Sequence, residues 1–552
     1  MKYFIQYDQR QAHNHFLNIE VQFNTLGSDI LIAKLPAWRP GRYELGNFAK
    51  NVKDLKFYGA KGELLNFAKR TKDEWMIHCH ETDVVIAEYS YFASELNAGA
   101  SFVDEHQFYI NPVNCLLYQE FKEDQPCELK LELPESFEIA SSLAFSNGVA
   151  SVSSFHELVD SPIVASATLQ HKSYVSHGID FHLWFQGEVK PDWERLINDF
   201  QKFTDFQIEK FGGFPTDQFH FIFQIDTKKA YHGVEHLKST MIYLGPSYAV
   251  FDQLYSELLG VCSHELYHAW NIKSIRPEEM FPYDYSRENY SRLGYVAEGV
   301  TTYMGDRVLL ESGVVDDTQY HKDLGNYILR HLHNDGRKHY SVADSSWDTW
   351  LDGYVTGIPG RKTSIYVEGA LIAYICDMRI RKSTGNVKSL HDAMHMLYNL
   401  TKNVGYSDAT YLEVLEATAG DSFDDIFDDL INGTKDFLPY LEEALTYDGR
   451  QLDLTIPTDR INAYGIKGAY ENGGYRIISV LEGSSADLSK FIPGDLIHAI
   501  NGIALNVDLS EWLNYFEKED ISLQIIRNNQ LKKLNLQKAN ENQYKLVNLK
   551  LV

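Results

Sequence analysis

The sequence predicts a multidomain α+β protein, and three changes of texture along its 552 residues carry that expectation. Short alternating runs fill the first 170 or so positions, helical periodicity dominates the middle, and short strands return after about residue 445. A chain of this length exceeds what one hydrophobic core usually organises, so separate domains are expected.

The N-terminal domain, 1–170, reads as antiparallel β. In FLNIEVQF, DILIAKL and TDVVIAEYSYFA, apolar and polar residues alternate with the period of a half-buried strand. One segment breaks that pattern: in LPAWRPGRYELGNFAKNV, residues 35–52, Pro36, Pro40 and Gly41 interrupt any strand around Trp38 and Tyr43. From about residue 190, WERLINDFQKFTDFQIEKF carries a helical stripe, FHFIFQI a buried strand, and FDQLYSELLGVCSHELYHAW a long helix. Further helical stretches at 293–311, 317–332, 364–382, 388–401 and 409–419 make 171–445 a mainly helical lobe behind a small sheet. The last domain, 446–552, is β-rich, with GYRIISVLEG, DISLQIIRN and QLKKLNLQ around one helical piece, SEWLNYFEK.

Composition excludes several classes. Lys and Arg total 51 against 77 Asp and Glu, and a net charge of −26 repels a phosphate backbone, so nucleic acid is not an expected partner. The acidic excess names no substrate by itself, because a solvated surface gives the same balance. Five cysteines without CxxC spacing suggest buried, reduced thiols rather than a thiolate metal site or a disulfide framework. The N-terminus lacks the continuous apolar run of a signal peptide, and no stretch approaches the roughly 18 apolar residues that cross a bilayer. The expected placement is cytoplasmic, with no membrane association.

The chemistry concentrates at HELYH. His264 and His268 stand four apart, which on a helix puts both imidazoles on one face, and Glu265 beside them is placed to take a proton from an attacking water. Two ordinary helix histidines would give the same spacing. A third ligand is what separates the readings, because catalytic zinc uses three protein ligands and one open position. Glu298, in the apolar run GYVAEGVTTYMGD thirty residues after His268, supplies it, since a lone carboxylate there is costly without a partner. Thr302, one helical turn on, is a candidate to support the site through its hydroxyl.

HELYHAWNIKSIRP followed by AEGVTTYMGD resembles the glycyl aminopeptidase family of gluzincin metallopeptidases, relatives of the thermolysin-like and large aminopeptidase groups. LPAWRPGRYELGNFAKNV is similar to that family's N-terminal signature, HGVEH at 232–236 to its Gly-Gly-x-Glu-His segment, and SIYVEGALIAYICDMRIRKSTG to its Tyr-x-Lys-Gly helix. The resemblance implies a thermolysin-like catalytic domain and one Zn2+ held by His264, His268 and Glu298, with Glu265 as general base. It implies that Tyr366 donates a hydrogen bond to the oxyanion, and that Glu235, between Gly233 and His236 in the substrate site, pairs with the free α-amine of a peptide. AYGIKG with the later PGDLIHAING resembles a PDZ domain, whose loop at Ala463, Tyr464, Gly465 and Ile466 would cap a peptide C-terminus.

Two positions depart from the family pattern. His232 stands where glycine is usual, which bears on the accepted N-terminal residue, and Glu368 stands where lysine is usual, two residues from Tyr366. The leading expectation is an aminopeptidase. The alternatives are an endopeptidase whose PDZ module recruits longer chains, and an inactive peptidase-like adaptor.

Overall fold

Residues 1–551, apart from Glu81, Thr356, Gly357, Pro359 and Asn472, are described in the computed structural model. Alternation in the sequence becomes alternation in burial: strand Phe16–Asn24 buries Leu17, Ile19, Val21 and Phe23 and pairs antiparallel with Lys2–Gln6 and Val84–Phe92. These strands form the middle of a six-stranded sheet, accompanied by two four-stranded sheets. One pair departs from the antiparallel expectation. Lys2–Gln6 also runs parallel to Cys127–Glu132, with Lys2 opposite Glu128, and the long intervening chain supplies the crossover that parallel neighbours need.

The irregular segment 35–52 leaves this domain and packs on the next one. Trp38 and Tyr43 are buried in a cluster with Ile272, Met280, Ala297, Trp350 and Ile365, and Trp38 Nε1 donates to the Asp284 carbonyl at 2.7 Å. The prolines and glycine that spoil a strand here release the chain to cross between domains. A polar tie lies nearby: Asp160 accepts from Lys273 Nζ at 2.6 Å and from the Leu237 amide at 2.9 Å.

The middle domain opens with a five-stranded sheet ordered Gln170–Ser176, Ile179–Gln186, Gln218–Ile225, Ser239–Gly245 and Ala230–Glu235. The last of these is an edge strand, antiparallel to its neighbour, and it lies against helix Tyr255–Tyr267. The other expected helices appear as a helical run through Glu311, then Asp317–Leu332, Ile365–Ser383, Leu390–Thr401 and Asp408–Ala419. Helix Ile365–Ser383 crosses the turn Tyr295–Val300 at two glycines: a Cβ on Gly299 would collide with the Gly369 backbone, and one on Gly369 with Gly299. The crossing is therefore backbone to backbone, and it fixes the start of the later helix beside Glu298.

Beyond residue 455 a smaller sheet runs in the order Ile466–Glu471, Gly474–Val480, Leu496–Ile500, Ile521–Arg527 and Gln530–Leu536, with helix Leu509–Tyr515 alongside and its own core. Both ends of 446–552 belong elsewhere. Arg450–Thr455 pairs antiparallel with Leu546–Leu551, and Leu452, Val547 and Leu549 of this ribbon pack on the core of the middle domain. All five cysteines are buried and unpaired. No helix of the described residues is long and apolar enough to cross a membrane.

Candidate active site

His264 lies in the last turn of helix Tyr255–Tyr267, and His268 caps its end. The helical repeat stacks the two imidazoles on one face, with their Nε2 atoms 3.0 Å apart. His268 Nδ1 lies 2.9 Å from the Asn271 carbonyl oxygen, which can only accept, so Nδ1 carries a proton and Nε2 is the nitrogen turned toward His264 and Glu298. Glu298 completes the group: its Oε2 is 3.5 Å from His268 Nε2 and 3.9 Å from His264 Nε2.

Glu298 stands on a π-helical turn, Tyr295–Val300, that runs straight into helix Thr301–Glu311. Such widened turns occur at functional sites, where the extra residue re-aims a side chain. The Asn271 amide donates to the Val296 carbonyl at 2.9 Å and the Ala297 carbonyl at 3.3 Å, pinning the loop after His268 to the turn that carries Glu298. Thr302, expected to support the site, donates to the backbone carbonyl of Glu298 at 2.8 Å rather than to its carboxylate. The carboxylate is steadied by a residue that sequence reasoning passed over: Tyr43 OH donates to Glu298 Oε1 at 2.9 Å. Its signal was its place in the irregular 35–52 segment. Tyr43→Phe should weaken metal binding by about 10- to 100-fold, as loss of an outer partner of a ligand does, in a competitive chelator titration. An unchanged Kd would show that this contact does not orient Glu298.

Glu265 and Glu235 are 5% and 4% exposed, and one oxygen of each lies within 4.8 Å of a His268 ring nitrogen and of the other. Strand alternation turns Gly233 and Glu235 to the same face, and glycine is required at the first position because a Cβ there would collide with Glu265 Oε1. On the other side, Gly41, at φ +81°, closes the N-terminal segment over the Glu235 carboxylate. Glu235 Oε1 and Glu265 Oε2 are buried without a hydrogen-bond donor among the described residues.

The electrostatics call for a cation. Burial pushes the Glu265 carboxyl well above its ordinary range, with Glu235 and Glu298 adding to the rise and His268 opposing it. Burial works against charge on His268, but Glu298, Glu235 and Glu265 outweigh it and lift the imidazole to about 10. Burial, then His268, keep His264 well below its usual value and so neutral. Two imidazole nitrogens and a carboxylate oxygen converging in this field are the donor set that Zn2+ takes. The residues present fit that ion.

Tyr366 sits in the first turn of helix Ile365–Ser383 and packs against the Trp38, Tyr43 and Trp350 cluster. Burial, then the charge on Glu298, raise its phenol well above 10, so it stays a proton donor. Glu368 does not stand unanswered in that helix: its Oε2 is 2.5 Å from His331 Nδ1, and the two side chains are 2% and 0% exposed. His236 is held outside the metal group, with Nδ1 3.2 Å from Asp160 Oδ1. His232 Nε2 faces Arg39 Nη2 at 3.4 Å, and burial together with Arg39 and Arg42 depresses its imidazole to about 3. In the C-terminal module, the Tyr464 amide donates to the Arg460 and Ile461 carbonyls and the Gly465 amide to Asn462, so neither is free for a peptide carboxylate in this conformation. Ile466 begins the edge strand and is opposite Val480.

Residues 4–167 match the peptidase M61 N-terminal domain, and residues 257–372 match the M61 glycyl aminopeptidase model. The chain belongs to the M61 glycyl aminopeptidase family. By family, then, this M61 protein is a metallo-aminopeptidase. Its fold is that of an aminopeptidase N family protein from Idiomarina loihiensis, with a TM-score of 0.92 at 24% identity over 100% of this chain and 98% of the other. An M1 zinc metallopeptidase mutant from Deinococcus radiodurans bound to a Tyr-Ser-Ala substrate is similar at a TM-score of 0.46 and 11% identity, over 76% of the M61 chain and 90% of its own. No curated protein matches the M61 chain.

Proposed function

We propose that this enzyme removes residues from the free N-terminus of peptides, with His264, His268 and Glu298 holding one Zn2+. When bound, that ion supplies Lewis-acid polarisation of the scissile carbonyl. Glu265 accepts the proton of the attacking water and returns it to the departing amine. Tyr366, kept protonated, donates to the oxygen that gains negative charge at the tetrahedral stage.

The observation that carries the exopeptidase reading is Glu235, a buried carboxylate with an unpartnered oxygen beside Glu265. A buried anion is costly without a cation, and an α-ammonium group brings both charge and N–H donors. An amino terminus anchored there sets which peptide bond reaches Glu265, which makes the cleavage N-terminal. Glu235→Ala should lower kcat/KM on free-amine peptides by about 100-fold or more, the cost of losing a charge-assisted contact of about 3 kcal/mol, and should change little with N-acetylated ones. Equal cleavage of free and acetylated peptides by the wild type would convert the reading to an endopeptidase.

We read the C-terminal module as PDZ-like. Its strand Ile466–Glu471 is the edge of its sheet, the position at which an added peptide strand pairs.

A further inference from the structure

Arg39 comes from the irregular segment 35–52 and is only 6% exposed, yet it forms no ion pair among the described residues. A guanidinium has five N–H donors. Nη1 donates to the Pro40 carbonyl at 3.1 Å and Nη2 faces His232 Nε2 at 3.4 Å, so most of the fork is without an acceptor among the described residues. Its plane lies against Gly99, where any Cβ would collide with it, so the guanidinium is placed rather than loose. Burial works against its charge, and Glu235 is the anion that does most to sustain it. Arg42 stands close by over the Tyr354 ring, 4.5 Å from its centroid, and pairs with Glu44.

Both arginines line a cavity of about 500 Å3 with Asn97, Ser101 and Asn114. Lys50, Glu44 and Glu95 also reach it; Arg42 and Glu44 engage each other, which leaves Arg39 as the arginine without an ion pair among the described residues. His232 is neutral and accepts from Arg39, so it adds no charge and presents Arg39 as the donor. A buried guanidinium without an ion pair among the described residues is a group that takes an anion.

We propose that Arg39, flanked by the Glu44-paired Arg42, forms a carboxylate subsite adjoining Glu235, so that the enzyme takes peptides whose N-terminal residue carries an acidic side chain. The subsite rests on the aminopeptidase reading. Glu235 takes the α-ammonium while the planar Arg39 fork takes the side-chain carboxylate, and the two charges of a single acidic residue match the two charges of the site. A neutral isostere leaves the guanidinium buried without its anion, which is why discrimination should be strong.

The test compares kcat/KM for α-glutamyl and glutaminyl p-nitroanilides with the zinc-loaded full-length enzyme, and for Gly-Gly and Gly-Gly amide. The wild type should favour glutamyl over glutaminyl at least about tenfold, and Arg39→Met and Arg42→Met should each pull that ratio toward one. Arg39→Lys, which keeps charge and loses the fork, guards against misfolding of the methionine variant and should leave an intermediate ratio. Equal use of the two nitroanilides by the wild type overturns the subsite and leaves the aminopeptidase standing. Preference only for the free C-terminus of Gly-Gly overturns it in favour of a chain-end carboxylate. Cleavage of none of the free-amine substrates would overturn the aminopeptidase reading and the subsite with it.

Discussion

Glu265→Gln should retain its zinc and lose about a thousandfold in kcat, near the middle of the range for removal of a positioned general base. The substitution keeps the side chain's shape in a site where a Gly233 Cβ would already collide with the carboxylate, so little repacking is expected. It removes proton acceptance and leaves His264, His268 and Glu298 in place. Metal content of the purified protein and kcat on a free-amine substrate, measured together, separate catalysis from binding. A variant with full zinc and more than a tenth of wild-type kcat would end the assignment of Glu265 as base.

Glu298→Ala should lose the metal itself. Among the described residues it deletes the carboxylate that meets both histidine Nε2 atoms, and it leaves the Tyr43 hydroxyl without its acceptor. The fall in zinc affinity should exceed the roughly 100-fold upper end for outer-shell partners, since a direct ligand is removed. Activity should vanish with occupancy and return only in part at high zinc. The ordering of Kd values, wild type tighter than Tyr43→Phe and Tyr43→Phe tighter than Glu298→Ala, is the sharper readout, because a merely structural Glu298 would lower stability without ordering metal affinity this way.

The convergence of His264, His268 and Glu298 was legible because its geometry is local. Four residues of helix fix His264 against His268, and an apolar helix fixes the environment of Glu298. The flanking helices at 317–332 and 388–401 likewise announce themselves by period. What escaped is contact between distant segments. Nothing in the alternation of the first domain shows that Lys2 lies beside Glu128 in parallel, or that Tyr43, Gly41 and Arg39 close over a site built more than 190 residues later. The segment that carries them looked only like a broken strand. The charge of Glu368 looked like a perturbation near Tyr366, because its partner His331 sits on another helix. The π-helical turn around Glu298 has the same apolar pattern as an α-helix, so the widening that aims the carboxylate has no separate sequence signal.

The ribbon at the end of the chain gives the C-terminal module an unusual status. Thr455 and Leu546 are register partners, so residues 456–545 leave the middle domain and return to the same place. In topology the module is a cassette on adjacent stems about 5 Å apart. Its excision needs a short hairpin turn to rejoin the stems and gives up the contacts of His333 with Lys467 and Lys545, while the strands that pack against helix Asp317–Leu332 stay as they are. The module is thus exchangeable as a unit, while the group formed by His264, His268 and Glu298 and the N-terminal segment that closes over it lie outside it.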